Sequence, residues 1–226
     1  AEATESYNGR LKRNVSIRQD RYIEQFNAYG VWLWHIIFIQ TGIRPVKHAP
    51  GLLNQFDFRQ RLLWVSDKEE RQGQGQGRLI PLSDFLITAI QNYIEYIKQF
   101  AVMHNSIYPN DQFPINNILN SSQPLIQLFS QNPKGFTGIK PSKVRYQIKH
   151  FFSHQDNWLR HQLRSLLTNK SPEHLICALY GHEHPDQEAM HPMSSLSINE
   201  LKALSADLEK VAVELNLRQV EVNIYG

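Results

Sequence analysis

The sequence predicts a mostly α-helical domain with a small antiparallel β-sheet or hairpin, an α+β arrangement in which the strands come early and helices close the chain. Three observations predict it. Apolar residues recur at helical spacing in several separated stretches. Two short apolar runs, 62–65 and 78–82, flank a polar glycine-rich stretch as hairpin strands flank a tip. Serines that can cap a helix, and glycines that can stop one, bracket most of the helical stretches.

In chain order, the polar segment 1–16 reads as a linker or flexible start, and the domain proper as 17–226. Ile23, Phe26, Leu33 and Ile37 place one or two buried helices over 17–40, and Thr41-Gly42 stops them. Residues 54–58 and 62–65 and the Arg78-Leu79-Ile80-Pro81-Leu82 run form short strands. The last two are joined through the charged 67–71 and the Gln-Gly repeat 72–77. Ser83 caps a helix whose face is Leu86, Ile90, Tyr93, Ile94 and Ile97. The Asn-, Pro-, Ser- and Gln-rich region 105–138 reads mostly as loop, with one apolar piece at 124–129. A basic helix is expected over 141–152, and a leucine-faced helix over 157–168 (Leu159, Leu163, Leu166, Leu167). A third starts at Ser171-Pro172-Glu173, with Ser as cap and Pro as first helical residue, and stops at Gly181. Ser197 and Glu200 form a capping box for a last helix, 197–216, with Leu196 and Leu201 as its staple. Val220, Val222 and Ile224 alternate like a short strand.

Composition narrows the function classes. With 226 residues, of which 41% are hydrophobic and 20% charged, the chain can bury a sizeable core. The single cysteine, Cys177, excludes an internal disulfide framework and suits a reducing compartment. The longest apolar stretch, 31–39, is too short to span a bilayer, and no signal peptide is visible. A soluble, cytoplasmic protein is expected, nucleoid-associated if bacterial. The net charge is only +3, so any surface for nucleic acid must be local. The most basic stretch is Lys140, Lys143, Arg145 and Lys149 with His150, a candidate DNA-backbone surface.

Four clusters carry chemistry-bearing side chains: Thr41-Gly42-Ile43-Arg44, Lys68 ahead of the 78–83 strand, Leu159-Arg160-His161, and Leu179-Tyr180-Gly181-His182. In this order they resemble the tyrosine recombinase (phage integrase) family. That family has a T-G-[LIM]-R turn, a hairpin lysine followed by R-x-[IVL]-P-L, an H-x-x-R-H helix, an L-x-G-H helix end and then a tyrosine. The resemblance spans about residues 17–200 and implies the fold of that family's catalytic domain. It also implies site-specific DNA recombination, with strand cleavage and rejoining through a phosphotyrosyl intermediate. Arg44 and Arg160 would hold the non-bridging phosphate oxygens by forked, charge-assisted hydrogen bonds. His182 would add a donor, Lys68 would protonate the departing 5′ oxygen, and His161 would either orient its neighbours or touch the phosphate.

The chain departs from the family pattern at several points. Asn157 stands at the first histidine of H-x-x-R-H, and it can donate a hydrogen bond but cannot shuttle a proton. Lys47 stands where the family has an acidic residue. No tyrosine follows His182 in 183–195, and the nucleophile slot falls on His191 or Met193. The expectation is therefore a domain that binds double-stranded DNA but is cleavage-deficient, without cofactor or metal, and self-associating on DNA through its last helix. That helix's apolar face serves packing at home equally well. Two alternatives stand beside it. One is an active recombinase using His191 or a tyrosine from elsewhere, such as Tyr225. The other is a metal-binding helical protein using the ligand-rich stretch His182, His184, Asp186 and His191 near Cys177.

Overall fold

The fold is built around one long helix whose C-terminal turns are buried on nearly every side. The computed structural model describes residues 2–46, 50–66, 77–131, 134–148, 157–181 and 196–220, with the backbone alone for 2–20 and Gln147. Helix α1 runs Glu2–Thr41. In its last three turns Tyr29, Val31, Leu33, Trp34, Ile36, Ile37, Phe38 and Ile39 are all buried, as expected of a helix surrounded by other elements. It packs against α2, α5 and α7 and against β4. The expected linker 1–16 is, from Glu2 onward, continuous with this helix. That stretch holds no proline and only one glycine, Gly9, so nothing in it stops the helix propagating.

After Gly42 (φ +60) and a 3₁₀ turn at Leu53–Gln55, three strands form an antiparallel sheet in the order β1-β2-β3: Phe56–Asp57, Leu62–Val65 and Arg78–Pro81. Leu63 pairs with Ile80 and Val65 with Arg78. Trp64 lies over Gly77, where an added Cβ would fall 2.0 Å from the indole, so only glycine fits beneath it. Helix α2, Asp84–Ile107, starts as the sequence indicates. Ser83 Oγ accepts from Leu86 N (3.1 Å) and donates to the buried Gln40 Oε1 (2.8 Å), tying this cap to α1.

The region 105–138 is more ordered than its composition suggests. It holds a short helix α3, Ile115–Leu119, and a second hairpin of β4, Gln127–Gln131, and β5, Lys134–Gly138. Phe129 pairs with Phe136. Phe136, Phe26, Phe100 and Phe113 form a knot of edge-on and stacked rings. Asn27 on α1 fixes β4 from its other edge, donating to Phe129 O (3.0 Å) and accepting from Phe129 N (2.8 Å). This hairpin is set by contacts about a hundred residues apart in the chain, |i−j| 102, which local composition does not encode.

Four helices follow: α4, Pro141–Ile148; α5, Trp158–Leu167; α6, Glu173–Tyr180; and α7, Ile198–Glu214. The cap of α6 differs from expectation. Pro172 takes the cap position without a side-chain bond, and Ser171 Oγ donates instead to Asp207 Oδ2 (2.7 Å), fastening the start of α6 to α7. The capping box of α7 forms as expected, with Glu200 N donating to Ser197 Oγ and Ser197 N to Glu200 Oε2. The apolar face of α7 (Leu201, Leu204, Leu208, Val211) is buried against α2, α5, α6 and β3 of its own chain. The expected tail strand at 220–224 lies largely outside the described residues. Among the described residues no helix is long and apolar enough to cross a membrane.

Candidate functional site

The carbonyls of the last turn of a helix have no partner within that helix. At the end of α6 two arginines supply them. Arg78, the first residue of β3, donates from Nε to Leu179 O (3.0 Å) and is 7% exposed. Arg160 on α5, 6% exposed, donates from Nη2 to Tyr180 O (2.8 Å). The negative end of the helix dipole favours both cations there. Gly181 then reverses the chain in the left-handed region (φ 59, ψ 39).

Arg160 also reaches the first cluster. Its Nη1 donates to Gly42 O in the turn that precedes Arg44. Its guanidinium carbon lies 4.3 Å from the centroid of the Tyr180 ring, and the Tyr180 hydroxyl donates to Arg160 O (2.6 Å). Arg164, one turn on, sits 5.7 Å from the same centroid and pairs with Glu173. Gly42 is shaped by this packing, since an added Cβ would meet the Tyr180 ring at 3.1 Å. Burial pushes the Tyr180 phenol well above its usual range, although Arg160 and Arg164 pull the other way. A neutral phenol whose proton is held on a main-chain oxygen is a strut, not a nucleophile.

Of the residues singled out from sequence, Arg160 therefore stands at a buried node, with Arg44 half-buried two residues beyond one of its acceptors. Asn157 precedes α5, exposed, and makes no side-chain cap bond. His161 is exposed on α5, and its carbonyl accepts from Ser165 Oγ (3.1 Å). On α4 and just before it, Lys140 and Arg145 are exposed, whereas Lys143 is half-buried and donates to Thr137 Oγ1 (2.6 Å). Lys47, Lys68, Lys149, His182, His191, Met193 and Tyr225 lie outside the described residues, as does the stretch 182–191 considered for a metal. Among the described residues no group of His, Cys, Asp and Glu could hold a metal ion. The Cys177 thiol is pushed up by burial and by Glu173 beside it.

Sequence reasoning did not assign roles to Arg78 or Tyr180. Both sat inside quoted motifs, and the available signal was their position next to a helix end: an arginine opening a strand and an aromatic one residue before a stop glycine. No family model, no curated protein and no solved structure matches this chain.

Proposed function

We propose that this chain is a duplex-DNA-binding domain of tyrosine-recombinase type that lacks its own nucleophile. One observation carries the reading: a single guanidinium, Arg160, joins Gly42 O and Tyr180 O. The T-G-I-R, L-R-H and L-Y-G-H segments thus meet at one point, with Arg78 of the R-L-I-P-L segment donating to the neighbouring Leu179 O.

In this reading Arg160 and Arg78 hold the frame. Arg44, carried on the turn that Arg160 anchors, presents its planar donor fork to a non-bridging phosphate oxygen. Lys140 and Arg145, both exposed on a basic helix and its approach, add backbone charge contacts. With Met193 or His191 in the nucleophile slot, the domain binds and orients a duplex without cutting it.

The test uses a fluorescein-labelled mixed-sequence duplex, with anisotropy followed from low to high salt. Binding that weakens steeply with salt, an Arg44→Ala affinity at least tenfold lower, and no covalent protein–DNA band on a denaturing gel are expected. Equal affinity for wild type and Arg44→Ala at low salt would sink the phosphate role. A covalent band abolished by His191→Ala or Tyr225→Phe would show a working nucleophile instead.

A further inference from the structure

A concavity away from the Arg160 node shares no lining residue with it. It is a cleft of about 700 Å³ between α1, β4 and α4, within the ~300–1,000 Å³ range of small-ligand sites. Its α1 and β4 walls are apolar at Ile23, Leu128 and Phe129, and Ser142, Lys143 and Tyr146 close it from α4. Phe129 on β4 and the exposed Tyr146 on α4 are both lining residues of the cleft. The Lys143 ammonium is half-buried there, and its only partner among the described residues is the neutral hydroxyl of Thr137. Burial first, and then the neighbouring Lys140, hold the Lys143 ammonium below the usual lysine range. The one carboxylate among the described lining residues, Glu24, is exposed and is not paired with Lys143. An ammonium taken partly out of water, with no counter-charge among the described residues, is a standing electrostatic cost that an anion at the cleft would offset.

We infer that this cleft binds a phosphate ester with a planar ring, a nucleotide either free or within a nucleic-acid strand. Lys143 meets the phosphate, and the ring lies against the Phe129 and Tyr146 side. Phosphate alone would leave the apolar walls unused, and an uncharged ring would leave Lys143 uncompensated.

The whole chain is titrated calorimetrically with AMP, with inorganic phosphate and with a short single-stranded oligonucleotide. The expected result is one AMP site, with phosphate at least tenfold weaker. Lys143→Gln and Ser142→Trp, which fills the cleft while leaving the charge, should each weaken AMP at least tenfold. Arg44→Ala should leave AMP binding unchanged, so failure of this site and failure of the duplex-binding reading are separable. AMP binding should also raise the titration midpoint of the Lys143 ammonium by lysine-detected NMR. If only the oligonucleotide binds, and Ser142→Trp weakens it tenfold, the nucleotide comes from a strand and the inference holds. Phosphate binding as tightly as AMP overturns it, as does indifference of both AMP and oligonucleotide to Lys143→Gln and Ser142→Trp.

Discussion

The Tyr180 hydroxyl donates to the main-chain carbonyl of Arg160, and the Arg160 guanidinium donates back to the main-chain carbonyl of Tyr180. Each side chain satisfies the other's backbone, so α5 and the end of α6 are locked in one relative position.

Removing Arg160 leaves the carbonyls of Gly42 and Tyr180 without this donor. A buried acceptor left unpaired costs about 1–3 kcal/mol, so Arg160→Ala should lower the unfolding free energy by about 3–5 kcal/mol. Tyr180→Phe deletes only the hydroxyl bond and should cost about 1–2 kcal/mol. Urea unfolding of the three proteins checks both, and an Arg160→Ala midpoint equal to wild type would refute the frame role.

Arg44 is half-buried at the end of that frame. Arg44→Ala should change stability by less than about 1 kcal/mol. It should also reduce the slope of log affinity against log salt by about 1 for duplex DNA. An unchanged slope with a large stability loss would make Arg44 a folding residue.

Asn27 holds both polar groups of Phe129. Asn27→Ala should cost about 2–3 kcal/mol and raise amide exchange across β4 and β5 more than across β2 and β3. Uniform exchange over both hairpins would mean that β4 does not depend on this clamp.

His104 is 2% exposed and sits between Asp111 O (2.8 Å) and the Tyr22 hydroxyl (2.9 Å). A carbonyl can only accept, so Nε2 carries the proton and Nδ1 accepts from Tyr22. Burial, against the opposing pull of Asp111, depresses its pKa below 6.5. The unfolded chain therefore protonates first. Stability is unaffected above pH 6.5 and falls as pH drops below it, until the folded state protonates as well. The decline in thermal midpoint from pH 7.5 to 5.5 should be shallower in His104→Gln. A steeper or equal decline would show that other groups govern the acid response.

What could be read from the sequence was what local rules encode. The Ser83 and Ser197 caps, the Gly42 and Gly181 stops and the β2–β3 strands each rest on neighbours within a few residues, and the structure has them. The β4–β5 hairpin escaped because its strands, Gln127–Gln131 and Lys134–Gly138, are polar and glycine-bearing, and Asn27 and the Phe26 ring knot select them from a distance. The family resemblance alone is what implies a phosphate contact for Arg160. Its acceptors, 118 and 20 residues away, lie beyond any local pattern. For the same reason Arg78 and Tyr180 passed as motif filler.

Val65 pairs with Arg78, Trp64 covers Gly77, and Arg78 is anchored to Leu179 O. The two roots of the 66–76 connection are thus held one strand spacing apart by groups that do not belong to it. Lengthening such a connection costs little, about 0.6 kcal/mol per doubling. Evolution, or an engineer, is free to vary its length and charge, and so to retune what this end of the molecule touches, without disturbing the arginine node behind it.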